Sequence, residues 1–187
     1  MTVRNLDYLL KPKSIALIGA SRKPKTVGAT VARNLFNAGF DGPIMPVSAQ
    51  DRSIEGVLCY PSVEALPITP DLAVICTAPE TVPDLIRQLG ERGTKAAIVI
   101  SSGFGELGPA GKALEQKVLD AARPHLLRVA GPNCLGMMVP GIGLNASFAH
   151  VNALKGDIAL IAQSGAVVTS IVDWATSRRV GFSHLIS

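Results

Sequence analysis

Four short apolar runs, none alternating polar with apolar, set the fold class of this chain: 14–18 (Ser-Ile-Ala-Leu-Ile), 72–76 (Leu-Ala-Val-Ile-Cys), 96–100 (Ala-Ala-Ile-Val-Ile) and 158–162 (Ile-Ala-Leu-Ile-Ala). A strand apolar on both sides must be covered on both faces, which is the pattern of a parallel sheet sandwiched by helices. The weaker runs Ile44-Met45-Pro46-Val47 and Leu127-Arg128-Val129-Ala130 read as strands too, although Pro46 cannot donate to a ladder.

Helical stretches separate these runs. Thr26 is placed to cap a helix through Val27, Val31, Leu35 and Phe36 that ends before Gly39. Thr81 precedes a second, with Pro83 in the first turn, where its missing N–H does little harm. Pro109 opens a third through Leu114, Val118 and Leu119, and Ser62 starts a short helical turn to Leu66. The order βαβαβαβ with right-handed crossovers predicts an α/β, doubly wound parallel sheet.

Composition narrows the function classes. The 187 residues are 48% apolar and 17% charged, which excludes a disordered chain. No apolar run approaches the roughly 18–20 residues of a membrane helix. The first seven residues lack an apolar stretch with a cleavage site, so a secretory signal is not expected. A net charge of +4 is too mild, and 4% aromatic residues too few, for a nucleic-acid platform. Cys59, Cys76 and Cys134 are odd in number and widely spaced, which suits reduced thiols in a cytoplasm.

Residues 137–155 are rich in Gly, Pro, Asn and Ala without periodicity, and after them a strand, a helix (166–178) and a last strand (182–186) follow. The expected organisation is a domain over 1–140, a linker over 141–155 and the start of a truncated second domain over 156–187. The alternative is one domain of seven or eight strands. An apolar last strand without a covering helix is expected to pack on another copy, making a homo-oligomer, or to be poorly ordered.

The first strand runs into Gly19-Ala20-Ser21-Arg22-Lys23-Pro24-Lys25-Thr26-Val27-Gly28 and then a helix. A glycine turn into a helix start offers free N–H groups and a positive dipole end to a phosphate. Gly19 permits the turn, Gly28 allows the helix close to the strand, and Arg22, Lys23 and Lys25 add cations. Strand–helix junctions need glycine in any case, so the loop alone does not decide. Its spacing is not G-x-G-x-x-G, and Val47-Ser48-Ala49-Gln50 supplies no acid for a ribose hydroxyl. Asp41 precedes the second strand, at the wrong edge of the sheet. An NAD(P)-binding redox domain is therefore disfavoured.

Several motifs come in one order: Ile18-Gly19-Ala20-Ser21 with Val27-Gly28, Tyr60-Pro61-Ser62, Asp71-Leu72-Ala73-Val74-Ile75, Ser102-Gly103-Phe104-Gly105-Glu106, Gly131-Pro132-Asn133-Cys134-Leu135-Gly136 and Gln163-Ser164-Gly165-Ala166. On these the whole chain resembles the N-terminal part of the NDP-forming acyl-CoA synthetases, relatives of the succinyl-CoA synthetase α subunit. It resembles in particular the bacterial proteins that fuse such a region to an N-acetyltransferase domain. The resemblance implies a Rossmann-like CoA-binding domain followed by a flavodoxin-like domain. It implies a cytoplasmic protein whose cofactor is coenzyme A or an acyl-CoA. In the complete family reaction, acyl-CoA and phosphate pass through acyl phosphate and a phosphohistidine to a nucleoside triphosphate. The partners implied are the remaining synthetase domains and an ATP-grasp region, in cis or as a separate subunit, or an acetyltransferase domain.

By the same resemblance Gly19, Ser21, Arg22 and Gly28 match contacts to the CoA phosphates, with Lys25 beside them. Val47, Thr77, Ala78, Pro79, Ser101 and Ser102 match contacts to pantetheine and adenosine, and Asn133 and Cys134 the loop near the thioester. The family commonly carries a phosphate-binding lysine after the second strand; Gln50 stands here and brings no charge. Ser164-Gly165 matches the turn that receives a phosphoryl group, at a helix start where Ser164 would also serve as an ordinary cap.

No catalytic residue and no metal site are expected in the chain. His125, His150 and His184 lie in no glycine-flanked loop and read as structural. Cys134 has no acid or histidine placed beside it by sequence, and Glu106 reads as a solvated loop residue rather than a general base. The leading expectation is the CoA-binding portion of a synthetase-like protein, inactive alone. The alternative is a non-catalytic acyl-CoA sensor that regulates a fused N-acetyltransferase.

Overall fold

The computed structural model describes residues 3–187. In chain order its elements are α1 (Leu6–Leu10), β1 (Ile15–Ile18), α2 (Val27–Asn37), β2 (Ile44–Val47), β3 (Ser53–Ile54), β4 (Val57–Leu58), β5 (Leu72–Ile75), α3 (Val82–Arg92), β6 (Ala96–Val99), α4 (Pro109–Ala122), β7 (Arg128–Ala130), β8 (Gly136–Val139), β9 (Leu144–Ser147), β10 (Lys155–Ile161), α5 (Gly165–Ser177) and β11 (Phe182–Ile186).

Five strands form a parallel sheet in the order β2-β1-β5-β6-β7. The non-alternating runs explain it: along β1, Ile15 and Leu17 enter the core on one face, while Ala16 and Ile18 enter the core on the other. One core takes Leu9 of α1 and Val31 and Leu35 of α2; the other takes Val82, Ile86 and Leu89 of α3 and Val118 of α4. Burying a side chain of this size contributes about 1.5–3 kcal/mol, so neither face can be left wet. Pro46 is accommodated because β2 is the edge strand of this sheet. Beyond it the chain makes only an isolated bridge, in which Tyr60 N–H donates to the Pro46 carbonyl (2.9 Å). The sheet thus uses the one backbone group that proline still offers.

The structure departs from three expectations and sets aside one alternative. No helix forms over 62–66, which is bends and turns. The strands form two main sheets, the second in the order β10-β11-β8-β9, which sets aside the alternative of seven or eight strands in one sheet. The stretch expected as a linker, 141–155, holds β9, paired antiparallel with β8. Finally, β11 is not left over: it lies between β10, parallel, and β8, antiparallel, with Phe182 and Leu185 buried. The expectation of an oligomer or of disorder built on an unpaired last strand loses its basis.

The β8–β9 hairpin was illegible because it serves two cores. Met137, Val139, Leu144 and Ala146 belong to the core beside β1, whereas Met138 packs with Val168 and Val172 of α5 and Leu185 of β11. Buried Asn34 of α2 ties the junction, donating to the carbonyls of Ser147 and Ala149 (both 2.8 Å). No helix among the described residues is long and apolar enough to cross a membrane.

Candidate functional site

In an open α/β sheet, ligands bind outside the carboxyl ends of the strands where the strand order reverses. Here that point lies between β1 and β5. Gly19 ends β1 with φ +83°, and a Cβ there would lie 2.9 Å from the Cys76 carbonyl carbon after β5. A Cβ at Gly28 would run into the Gly19 carbonyl oxygen. The close helix-to-strand approach read from Gly28 is therefore present, and it fixes the loop between them. Thr26 caps α2 as expected: its Oγ1 accepts from Ala29 N–H (3.3 Å) and donates to the Lys23 carbonyl (2.8 Å).

Three hollows open along this edge. The first, 610 Å³, is walled by Gly19, Ser21, Val47, Gln50 and Thr77 from the expected set, with Asp51, Glu64, Asp84 and Leu85 beside them. The second, 740 Å³, takes Thr77, Pro79, Ser101, Ser102, Asn133, Cys134 and Gly165, with Phe148, His150 and Thr169. Thr77 stands in both, so the two hollows adjoin. A third, 530 Å³, shares Ser21 with the first and gathers Arg22, Lys25 and Arg33 around Glu55. Gly28, Ala78 and Ser164 line none of them. Gly28 acts from behind Gly19, and Ser164 caps α5 by accepting from Val167 N–H (3.4 Å).

Hydrogen bonds hold the walls. Ser101 Oγ donates to the Thr77 carbonyl (2.6 Å), and Asn133 N–H donates to the Ser101 carbonyl (2.9 Å). Cys134 Sγ–H donates to the Val99 carbonyl (3.4 Å). Burial pushes the Cys134 thiol up and the Cys76 thiol up to about 12, with Cys134 a smaller cause for Cys76. Neither is a thiolate nucleophile at neutral pH. Glu106 accepts from Gly103 N–H (2.6 Å) and Phe104 N–H (3.1 Å), which holds its carboxyl below the usual range. It is the brace of the Gly-Phe-Gly turn rather than a poised base. No group of residues suited to a metal ion occurs among the described residues.

Two residues were missed in the sequence. Asp51 follows Gln50 directly, lines the first hollow and accepts the Arg22 backbone N–H (3.2 Å). An acid does therefore stand just past β2, so the argument against NAD from a missing acid fails. His150 falls in the supposed linker, yet it lines the second hollow and meets Asp173 of α5. No local signal marks a pair 23 residues apart. The other histidines are elsewhere: His125 packs beside Gly90 of α3, and His184 is within β11 with its Nε2 buried and unpartnered.

The comparisons with known proteins agree with this geometry. The family model for a CoA binding domain matches residues 13–140, and that for a succinyl-CoA ligase like flavodoxin domain matches 155–187. The chain is 38% identical over 187 residues to the acetate–CoA ligase (ADP-forming) I subunit alpha of Pyrococcus furiosus, covering 98% of this chain and 40% of that protein. It is 39% identical to the 4-hydroxybutyrate–CoA ligase (ADP-forming) of Nitrosopumilus maritimus, over 96% of this chain and 26% of that one. The solved dinucleotide forming acetyl-coenzyme A synthetase 1 of Ca. Korarchaeum cryptofilum superposes with a TM-score of 0.92 at 35% identity, over 97% of this chain and 39% of that one. The chain thus spans 40% or less of the length of these relatives. None of the three is named as an acetyltransferase. With a switch-point crevice over a parallel sheet and both models matching in sequence order, the chain belongs to the CoA-binding domain family of the NDP-forming acyl-CoA synthetases, followed by the start of the flavodoxin-like domain.

Proposed function

We propose that this chain is the CoA-holding part of an NDP-forming acid–CoA ligase, and that the adjoining hollows are where CoA or an acyl-CoA lies. The observation that carries the reading is Thr77, the shared wall of the 610 and 740 Å³ hollows at the switch point. An extended ligand with a nucleotide at one end and a thiol at the other fits such a pair. The nucleotide end takes Gly19, Ser21, Val47, Gln50 and the apolar side of Leu85, with its phosphates toward Arg22, Lys25 and Arg33. Pantetheine passes Thr77, Pro79, Ser101 and Ser102 to Asn133 and Cys134. CoA supplies the acyl-carrying thiol; the chain's residues bind and orient it. The start of α5 at Ser164-Gly165 adds a positive dipole end at the far wall, suited to a phosphate.

The remaining domains of the ligase would dock on the second sheet. Ile158 and Ile161 of β10 and Val167 and Trp174 of α5 are exposed there, an apolar area that isolated domains rarely leave open. A sensor for a fused acetyltransferase would use the same CoA site and differ only in what docks on this face.

Calorimetric titration with CoA and with NAD tests the reading. CoA is expected to bind at least about tenfold more tightly, a difference of about 1.4 kcal/mol; tighter NAD binding would sink it. Replacing Gln50 with Lys is expected to tighten CoA by about 0.5–1.5 kcal/mol, the scale of one charge-assisted contact. The gain should shrink as salt rises. An unchanged affinity at low salt would mean that residue 50 does not face a phosphate.

A further inference from the structure

The 740 Å³ hollow carries three side chains able to exchange a proton: Cys76, Cys134 and His150. Burial holds both thiols protonated, which leaves the imidazole. Its Nε2 lies 3.1 and 3.2 Å from the two carboxylate oxygens of Asp173. A carboxylate has no hydrogen to give, so Nε2 carries the shared one and Nδ1 is the basic nitrogen. This is the arrangement in which an acid orients a histidine for proton transfer, here at the solvent-exposed rim of a cavity that His150 helps to line. Asp173 is the one charged side chain of α5. Arg178, at the end of that helix, stacks over the Trp174 ring, 4.5 Å from its centroid, and Lys155 opens β10.

We infer that His150, positioned by Asp173, is the proton acceptor for the thiol of CoA; the inference rests on the CoA reading above. The S–H proton moves to Nδ1 and the electron pair stays on sulfur. The imidazolium so formed is flanked by the Asp173 carboxylate on one side and the thiolate on the other. In the reverse direction the imidazolium returns the proton to sulfur. Asn133 and Cys134, on the same hollow, are neutral and cannot do this.

The test uses the 187-residue chain and CoA itself. Calorimetry gives the affinity, and ultraviolet thiolate absorbance across a pH series gives the titration of bound CoA. The variants are His150→Gln and Asp173→Asn. The His150–Asp173 pair is solvent-exposed on both sides, so its loss costs the fold little, and circular dichroism checks that both variants fold. Bound CoA is expected to titrate about one pH unit below free CoA, a tenfold rise in thiolate fraction below that range. His150→Gln should return it to the free value while CoA still binds. Asp173→Asn should give an intermediate value, which mere loss of a surface ion pair would not. CoA bound to the wild-type chain with an unshifted thiol, or with the same shift in His150→Gln, overturns this inference and leaves the CoA reading standing. A wild-type chain that binds no CoA overturns both. Should His150→Gln lose CoA altogether, the Asp173→Asn titration decides: an unchanged shift rejects the inference.

Discussion

Replacing Gly28 with Ala is expected to cost about 3 kcal/mol of stability, the upper end of overpacking costs, and to remove CoA binding with it. The added Cβ meets the Gly19 carbonyl oxygen and, at 3.1 Å, its carbonyl carbon. Both are backbone atoms, so no rotamer change relieves them. Either α2 moves off β1 or the loop between them shifts. That loop carries Ser21 at the first hollow and Arg22 and Lys25 at the cationic one, so strain and ligand loss share one cause. The control is Gly141→Ala, where a Cβ meets open space and the expected change is within about 0.5 kcal/mol. Urea unfolding followed by circular dichroism reads both. A Gly28→Ala chain as stable as Gly141→Ala would show that α2 does not need the close approach.

Alkylation of Cys76 by iodoacetamide at pH 8 is expected to be about a thousandfold slower in the native chain than in the denatured one. The thiol is raised from 9.0 to about 12 by burial, and the thiolate is the reacting species. Cys76 is on a cavity wall, so a small reagent can reach it; protonation is what slows the reaction. The same shift sets a pH dependence of stability. The folded pKa lies above the unfolded one, so the contribution is complete below about pH 9 and is lost as pH climbs toward about 12, where the unfolded chain gains by ionising first. Peptide mass mapping after timed labelling measures the rate. Native labelling within tenfold of the denatured rate would mean that the sulfur is solvated.

The reading of function and the reading of fold depend on different kinds of residue. The candidate site was legible where one short motif carries both conformation and polar chemistry, as in Gly19 to Gly28 or Gly131 to Gly136, which lie along the hollows. It was not legible at His150 and Asp173, which belong to a loop and a helix and meet only once β8, β9 and α5 share a core. Asp51 is an intermediate case: it was in plain view one residue past Gln50, and only its hydrogen bond to the Arg22 amide shows that it faces the glycine loop.

The sequence by itself determined the layered α/β class through the apolar runs of β1, β5 and β6, which are buried on both faces. The equally apolar run of β10 lies at a sheet edge with Ile158 and Ile161 exposed, an outcome that only the strand order decided. The sequence also determined the cap at Thr26 and the tight turn at Gly19, since both are set by bonds and dihedrals within a few residues. The strand order β2-β1-β5-β6-β7, and with it the place of the crevice, was decided only in three dimensions. So were the insertion of β11 between β10 and β8 and the hairpin over 136–147. These depend on which faces bury each other across long sequence separations, and a local pattern of residues carries no information about its distant partner.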